Sequence, residues 1–183
     1  MSTLQHRFPW LALCVLCWAA CGGSGNYNFA RSYEPLRGEK SHYGSAQAVP
    51  YEDVKRDPNG FKNTEIGWFG VVQGVSELSD GRTRLSLALH AHHERHLCRE
   101  AAASSCRLTI AERPLGSFSV DLALAPEEKQ GRDRVGVGSL LKIYGYPSGE
   151  YAEDGGPVLS VTYYRNWPRG TYVTTADRAS MRS

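Results

Sequence analysis

Four of the six histidines of this 183-residue chain fall within seven residues, at His90, His92, His93 and His96. Imidazole nitrogens are common ligands of Zn²⁺ and Cu²⁺. On an extended strand His90 and His92 share one face and lie close to Glu94, so the geometry allows these side chains to chelate a metal ion. The alternative is a solvated strand end and loop, where the nearby Arg95 and Arg99 repel a cation. We therefore expect no bound metal ion. The alternative is a metal site formed by these four histidines.

The sequence contains no recognisable catalytic motif. There is no G-x-S-x-G nucleophile motif, and Gly136-Val137-Gly138-Ser139 lacks the third glycine and the following helix of a dinucleotide site. Carboxylate pairs such as Glu127-Glu128 lie in polar turns, where charged side chains are normally solvated. We expect a protein that is not an enzyme, with no catalytic residue and no cofactor.

Aromatic residues provide a second kind of candidate site. Tyr144 and Tyr146 alternate with Lys142 on the outer face of a predicted strand, opposite an inward apolar face. With Trp167 they are a candidate ligand face of the kind that small β-barrels use for sugars or peptides. The alternative is that these rings cover the ends of the barrel or lie near a membrane.

The amino terminus has the composition of an export signal. An apolar run of ten residues, 11–20, follows a short segment that contains Arg7. The run is shorter than the roughly 20 apolar residues that a helix needs to cross a bilayer. It ends in Ala19-Ala20-Cys21-Gly22, which resembles the lipobox of bacterial lipoproteins.

The lipobox resemblance implies that residues 1–20 are removed as a signal peptide and that Cys21 then carries acyl chains such as palmitate. Acyl chains anchor a protein by burying methylene groups, each worth about 0.8 kcal/mol. Gly22 rather than Asp after the cysteine implies the outer membrane, by the sorting rule of enteric bacteria. The alternative is an ordinary cleaved signal that leaves Cys21 as a plain thiol.

The export signal changes the meaning of the five cysteines. Cys14 and Cys17 lie in the segment that is removed, and Cys21 is the predicted acylation site. Cys98 and Cys106 remain as an even pair in an exported protein, where disulfides form and persist. A disulfide between them closes a short loop and contributes roughly 2.5 kcal/mol. The alternative is a free metal or redox pair, although the spacing is longer than such sites usually show.

The rest of the chain divides into three parts. Residues 21–48 have almost no aliphatic side chains and no periodicity, which predicts a flexible tether between the lipid and the domain. Residues 49–174 form the predicted domain, and residues 175–183 a polar, disordered tail.

The domain is predicted to be all-β with minor helix. Leu85, Leu87 and Leu89 alternate with polar residues, and Asp80-Gly81 before them predicts a hairpin turn. A short helix is predicted ahead of the strands, at residues 51–57. Five strands are predicted, at 66–75, 83–92, 108–124 with a break at Arg113-Pro114, 139–146 and 158–165. With a polar insert between the third and fourth, they indicate an OB-like five-stranded Greek-key barrel. The alternative is a small β-sandwich, which also buries alternating faces.

Several stretches between residues 50 and 168 resemble the Slp-type (starvation-inducible) outer-membrane lipoproteins and allied OB-fold envelope lipoproteins. They are Tyr51-Glu52-Asp53-Val54 with Pro58 and Phe61, Gly67-Trp68-Phe69-Gly70-Val71-Val72, Thr83-Arg84-Leu85, Leu141-Lys142-Ile143-Tyr144-Gly145, and Val161-Thr162-Tyr163-Tyr164-Arg165-Asn166-Trp167-Pro168. The resemblance implies an OB-like barrel on a lipid anchor. It does not include the histidine-rich and cysteine-containing excursion at 90–106.

Charge and compartment narrow the function. With 21 Lys and Arg against 19 Asp and Glu, the chain lacks the basic excess of a nucleic-acid-binding protein. We expect a lipid-anchored protein of the bacterial cell envelope, facing the periplasm or the cell surface, with a structural or protein-interaction role and an unidentified envelope partner. The alternative is a small ligand- or metal-binding lipoprotein that uses the loop from His90 to His96 or the face of Tyr144 and Tyr146.

Overall fold

The computed structural model of the protein describes residues 33–93 and 108–180. The strands are β1 (Ile66–Glu77), β2 (Thr83–His90), β3 (His92–His93), β4 (Thr109–Ile110), β5 (Gly116–Leu122), β6 (Leu140–Tyr151), β7 (Pro157–Trp167) and β8 (Val173–Thr174). The helices are α1 (Lys40–Ser45), α2 (Tyr51–Arg56), α3 (Pro126–Lys129) and α4 (Thr175–Ser180). The predicted signal peptide, the predicted acylation site at Cys21 and the predicted disulfide between Cys98 and Cys106 lie outside the described residues.

Five of the strands close into a barrel in the order β1-β2-β5-β7-β6, with β6 pairing back to β1. Neighbouring strands are antiparallel except for β5 and β7, which run parallel. Closing the ring leaves no free sheet edge. The predicted all-β, OB-like five-stranded barrel is therefore confirmed, and the ring stands in place of the alternative sandwich of two sheets.

Alternation of side chains in β2 produces the inner face of the barrel. Leu85, Leu87 and Leu89 are buried and the residues between them are half-buried, as the sequence pattern predicts. They pack with Phe118 of β5 and Ile143 of β6 in the barrel interior. Burying a Leu, Ile or Phe side chain stabilises a fold by about 1.5–3 kcal/mol, so this interior supplies most of the driving force for closure.

The turn between β1 and β2 forms as its residues predict. Gly81 adopts a φ of +82°, a left-handed conformation that glycine enters without steric penalty. The Asp80 carboxylate accepts a 3.0 Å hydrogen bond from the backbone N–H of Arg82. These two features set the register of the hairpin.

The predicted third strand divides at Arg113-Pro114 into two strands of different sheets. β5 joins the barrel, whereas β4 pairs with β3 and β8 in a separate three-stranded sheet. Proline lacks a backbone N–H and cannot continue a hydrogen-bonded ladder, which explains the division at this point.

A second apolar cluster lies outside the barrel. Residues that point outward from β1, β6 and β7 meet residues of the small sheet and of the amino-terminal segment there, namely Tyr33, Phe69, Leu108, Ile110, Leu140 and Trp167. This cluster gives the outer face of the barrel an apolar surface that requires a cover.

Residues 33–48 provide part of that cover, which differs from the predicted flexible tether. The 33–48 segment includes α1, and its side chains Tyr33 and Glu39 are buried. Its backbone also reaches the barrel, because the N–H of Gln47 donates a 2.8 Å hydrogen bond to the carbonyl of Glu65. A segment whose composition is that of a linker therefore docks through a buried aromatic ring, a buried carboxylate and a backbone hydrogen bond.

The carboxyl end also differs from the prediction, since residues 175–180 form α4 rather than a disordered tail. The Thr174 hydroxyl accepts a 3.2 Å hydrogen bond from the N–H of Asp177, and the Asp177 carboxylate accepts a 3.1 Å bond from the N–H of Thr174. This reciprocal arrangement is a capping box, which stabilises the start of a helix. In the described ranges no helix combines the length and the apolar composition needed to cross a membrane.

Candidate functional site

A cavity of about 380 Å³ opens at the end of the barrel where β1 begins and β2 ends. The 33–48 segment and the start of α2 form one wall, and β1 with the end of β2 forms the other. We call this cavity the Lys142 groove, and the lining residues that matter for its chemistry are Tyr33, Tyr43, Phe69, His90, His92 and Lys142. Its size falls within the roughly 300–1,000 Å³ of typical small-molecule sites.

Lys142 brings a charge to this groove because β6 points it outward, opposite the barrel interior. Its side chain is only 8% exposed, and its Nζ donates a 2.8 Å hydrogen bond to the carbonyl of Gly67. The Nζ lies 4.2 Å from the centre of the Phe69 ring, within the range of a cation–π contact. Gly67 leaves the necessary room, since a Cβ atom there would lie 3.2 Å from Nζ.

The ammonium of Lys142 is incompletely compensated. Burial lowers its pKa from 10.5 to about 8, an effect that the negative charge of Glu39 partly opposes. Across residues 33–93 and 108–180, no Asp or Glu oxygen lies within 4.0 Å of Nζ. A lysine ammonium carries three N–H donors, and the carbonyl of Gly67 accepts one of them.

Glu39 holds the 33–48 segment on the outer face of the barrel. Its carboxylate is fully buried and accepts hydrogen bonds from the hydroxyls of Tyr33 and Tyr144, and from the N–H of Leu36 at 3.0 Å. Nη1 of Arg165, on β7, lies 3.6 Å from Oε2. Burial and then the hydrogen bonds to Glu39 raise the pKa of Tyr33 and of Tyr144 above the ordinary tyrosine value. Both hydroxyls therefore stay protonated donors.

Glu65 provides a second attachment for the same segment. Its carboxylate accepts hydrogen bonds from the hydroxyl of Ser45, at the end of α1, and from the hydroxyl of Thr162 on β7 at 2.7 Å. Nδ1 of His42 lies 2.8 Å from Oε1 of Glu65. Burial favours the protonated form, but these three hydrogen bonds outweigh it and lower the pKa of Glu65 below 4.5. The two buried carboxylates together fix one wall of the Lys142 groove.

The predicted histidine cluster is divided by the end of β2. Nδ1 of His90 lies 2.8 Å from the carbonyl oxygen of Ala111, whereas the ring of His92 stacks on Phe69 with their centres 5.1 Å apart. His93 pairs with Thr109 in the small sheet, and His96 lies outside the described residues. Among the residues that the structure describes, no three His, Cys, Asp or Glu side chains are grouped so that they could hold a metal ion. His90 and His92 instead both line the Lys142 groove.

The predicted tyrosine face is covered rather than open. Tyr144 and Trp167 are each 1% exposed, and the Trp167 ring lies 6.2 Å from that of Tyr33 in the 33–48 segment. Tyr146 is half-buried and lies further along β6, where it pairs with Ser160. Tyr144 points outward from the barrel, as predicted. The 33–48 segment, however, covers this part of the outer face.

Sequence reasoning did not identify Glu39 or Arg165 as structural partners, and it used Lys142 only to mark a strand face. One signal was present for the two basic residues. Each interrupts a strand rich in apolar and aromatic side chains, where a charge predicts either exposure or a buried partner. No comparable pattern surrounds Glu39, which lies among polar and charged residues.

Comparison with known proteins assigns no family to this chain: no protein-family model matches it, and no curated protein is significantly similar to it. The resemblance to Slp-type lipoproteins therefore stays a prediction.

Proposed function

We propose that this chain is a lipid-anchored protein of a bacterial cell envelope that binds another molecule, and that the Lys142 groove is its binding site. The observation that carries the binding role is a cation, 8% exposed, at the wall of an aromatic cavity of about 380 Å³. Pockets that combine apolar walls with a few placed polar groups are typical of ligand sites. We propose a binding role without catalysis.

The lipid anchor rests on Ala19-Ala20-Cys21-Gly22 after the apolar run. Tyr33, the first described residue, follows Cys21 by twelve positions. At roughly 3.5 Å per residue, the chain between them spans at most about 40 Å. The docked 33–48 segment would therefore keep the groove within about 40 Å of the acyl chains, at the outer membrane if Gly22 directs sorting as in enteric bacteria. The barrel fold also agrees with membership of the Slp-type lipoproteins, which we propose.

The anchor is tested by replacing Cys21 in the full chain. We expect Cys21→Ser to abolish incorporation of labelled palmitate and to move the protein from the membrane fraction to the soluble fraction. The matched control is Cys17→Ser, which lies inside the apolar run and should keep both properties. A Cys21→Ser chain that still carries palmitate, or that still sediments with membranes, would contradict the anchor.

A protein-interaction role is the second candidate, and an apolar rim on the groove favours it. Leu115 is 57% exposed and Tyr43 is 48% exposed, and both line the groove. A photo-crosslinking residue at position 115 should then capture one defined envelope protein in intact cells. The control is position 137, since Val137 is similarly exposed but does not line the groove. Equal capture from both positions, or none from position 115, would contradict a partner at this rim.

A further inference from the structure

We infer that the Lys142 groove takes a small carboxylic acid with an apolar body, whose carboxylate lies beside Nζ of Lys142 and whose apolar part lies against the aromatic walls. The inference rests on the proposed binding function and names the ligand class for that site.

Charge balance points to an anion. Arg165 and Glu39 lie 3.6 Å apart and are both buried, so they compensate each other. Lys142 is buried close by and has no carboxylate within 4.0 Å among the described residues. Glu39 is the carboxylate whose charge acts on Lys142, and it also faces Arg165, so one buried carboxylate serves two buried cations. An incompletely balanced buried charge is costly, and an anion in the groove would reduce that cost. The Nζ also has N–H donors left after its hydrogen bond to Gly67.

The number of cations points to a single negative charge. Lys142 is the one Lys or Arg among the described residues that line the groove. Recognition of a phosphate dianion normally uses arginine forks or several cations. The buried carboxylate of Glu39 repels any anion in the groove, and it repels a dianion about twice as strongly as a monoanion. A carboxylate supplies one charge and two acceptor oxygens, which matches the donors that remain on Nζ.

The walls point to an apolar body attached to that carboxylate. The centre of the Phe69 ring lies 4.2 Å from Nζ, and Tyr43 and Leu115 add exposed apolar surface to the lining of the same groove. Covering such surface is favourable by about 25 cal/mol per Å². The groove thus offers a charged position and an adjoining apolar position, which an acid such as benzoate or octanoate would fill together.

Calorimetric titration of the full chain with two acids and their neutral amides tests the ligand class. The probes are benzoate with benzamide, and octanoate with octanamide. Within each pair the acid and the amide have nearly the same shape and differ in charge, and the two pairs compare an aromatic with an aliphatic body. We expect at least one acid to bind tenfold or more tightly than its amide. Equal affinity for acid and amide in both pairs, or no binding of either acid, would overturn the inference.

Substitution of Lys142 identifies the cation responsible. Lys142→Met should bind acid and amide equally, whereas Lys62→Met, a change at an exposed lysine outside the groove, should keep the preference for the acid. A Lys142→Met chain that still prefers the acid would overturn the inference. If the anchor test succeeds and the acids fail, the ligand class is wrong and the lipoprotein assignment stands.

A measurement on Lys142 itself covers the case in which Lys142→Met does not fold. Reductive methylation with ¹³C-formaldehyde labels lysine amines, and the NMR signal of Lys142 can be followed through pH. The titratable groups around Nζ are Glu39, Tyr33, Tyr43, Tyr144, His90 and His92. If the carboxylate binds the ammonium form of Lys142 tenfold more tightly than the neutral amine, the Lys142 titration midpoint rises by about one pH unit when the acid binds. A midpoint that stays constant in saturating acid would contradict the inference.

Discussion

The hydroxyl of Tyr144 donates a 2.8 Å hydrogen bond to Oε1 of Glu39, and both side chains are buried. Tyr144 lies on β6 and Glu39 immediately precedes α1, 105 positions earlier in the chain. Through this contact the chain's own 33–48 segment occupies the face of β6 that the sequence offers as a ligand surface. The Lys142 groove lies at the margin of this covered face, where Tyr33 and Tyr43 of the segment and Lys142 of β6 line one cavity.

Removing the Glu39 carboxylate should release the 33–48 segment. Glu39→Ala leaves Arg165 buried without its carboxylate, and such a change in a buried ion pair costs about 3 kcal/mol or more. Urea unfolding should show this loss, and hydrogen exchange should show faster exchange at residues 33–48 than in β2. Glu34→Ala, at an exposed side chain in the same segment, should change stability by less than about 0.5 kcal/mol. Similar losses for the two variants would contradict the role of Glu39.

Lys142 should make folding stability rise with pH in mildly alkaline solution. Its pKa is about 8 in the folded protein and 10.5 ordinarily, so between these values the unfolded chain binds more protons. Stability then increases by up to about 1.4 kcal/mol per pH unit. Above about pH 10 the raised pKa of Tyr33 and of Tyr144 acts in the opposite direction, because the unfolded chain loses those protons first.

Urea unfolding between about pH 8 and about pH 9.5 isolates the lysine contribution. Lys142→Met should lose the increase that the unsubstituted chain shows in this window, whereas Lys62→Met should retain it. Glu39, whose charge acts on Lys142, stays the same in both variants. If the unsubstituted chain and Lys142→Met have the same slope, Lys142 is not the group that titrates.

Glu65 should contribute stability that acid removes. Its pKa lies below 4.5 in the folded protein, so the contribution is present above pH 4.5 and is lost as pH falls through the folded value. Hydrogen bonds to a charged group contribute about 1.5–3 kcal/mol, which is the loss we expect for Glu65→Gln near neutral pH. The difference from the unsubstituted chain should shrink below pH 4.5. Glu77→Gln, at a side chain that is 80% exposed, is the control and should show no such difference.

The alternation of side chains along a strand and the position of a tight turn could be predicted from the sequence because both depend on near neighbours. The alternation in β2 and the outward direction of Lys142 and Tyr144 follow from the two-residue period of a strand. The turn at Asp80-Gly81 follows from the left-handed conformation that glycine permits. Each of these features is decided within a few residues.

The cover on the barrel could not be predicted in the same way. The 33–48 segment has the composition of a linker, and its docking depends on contacts from Glu39 to Tyr144 and Arg165, more than 100 positions away. The two-residue period of the strand correctly placed Tyr144 on the outer face of the barrel. The prediction of an open ligand face also assumed that this outer face is exposed to solvent, and it is not. A second apolar cluster around Trp167 makes the two different.

The sequence by itself determined the all-β class, the hairpin between β1 and β2, and the alternating faces of β2 and β6, because alternation and turn chemistry are local properties. Only the tertiary structure decided that Lys142 is buried, that Glu39 covers Tyr144, and that His90 and His92 line one cavity. These outcomes depend on which distant segments share a surface. The cost of burying a charge depends on the partners that surround it, and those partners are brought together only when the barrel closes and the 33–48 segment docks.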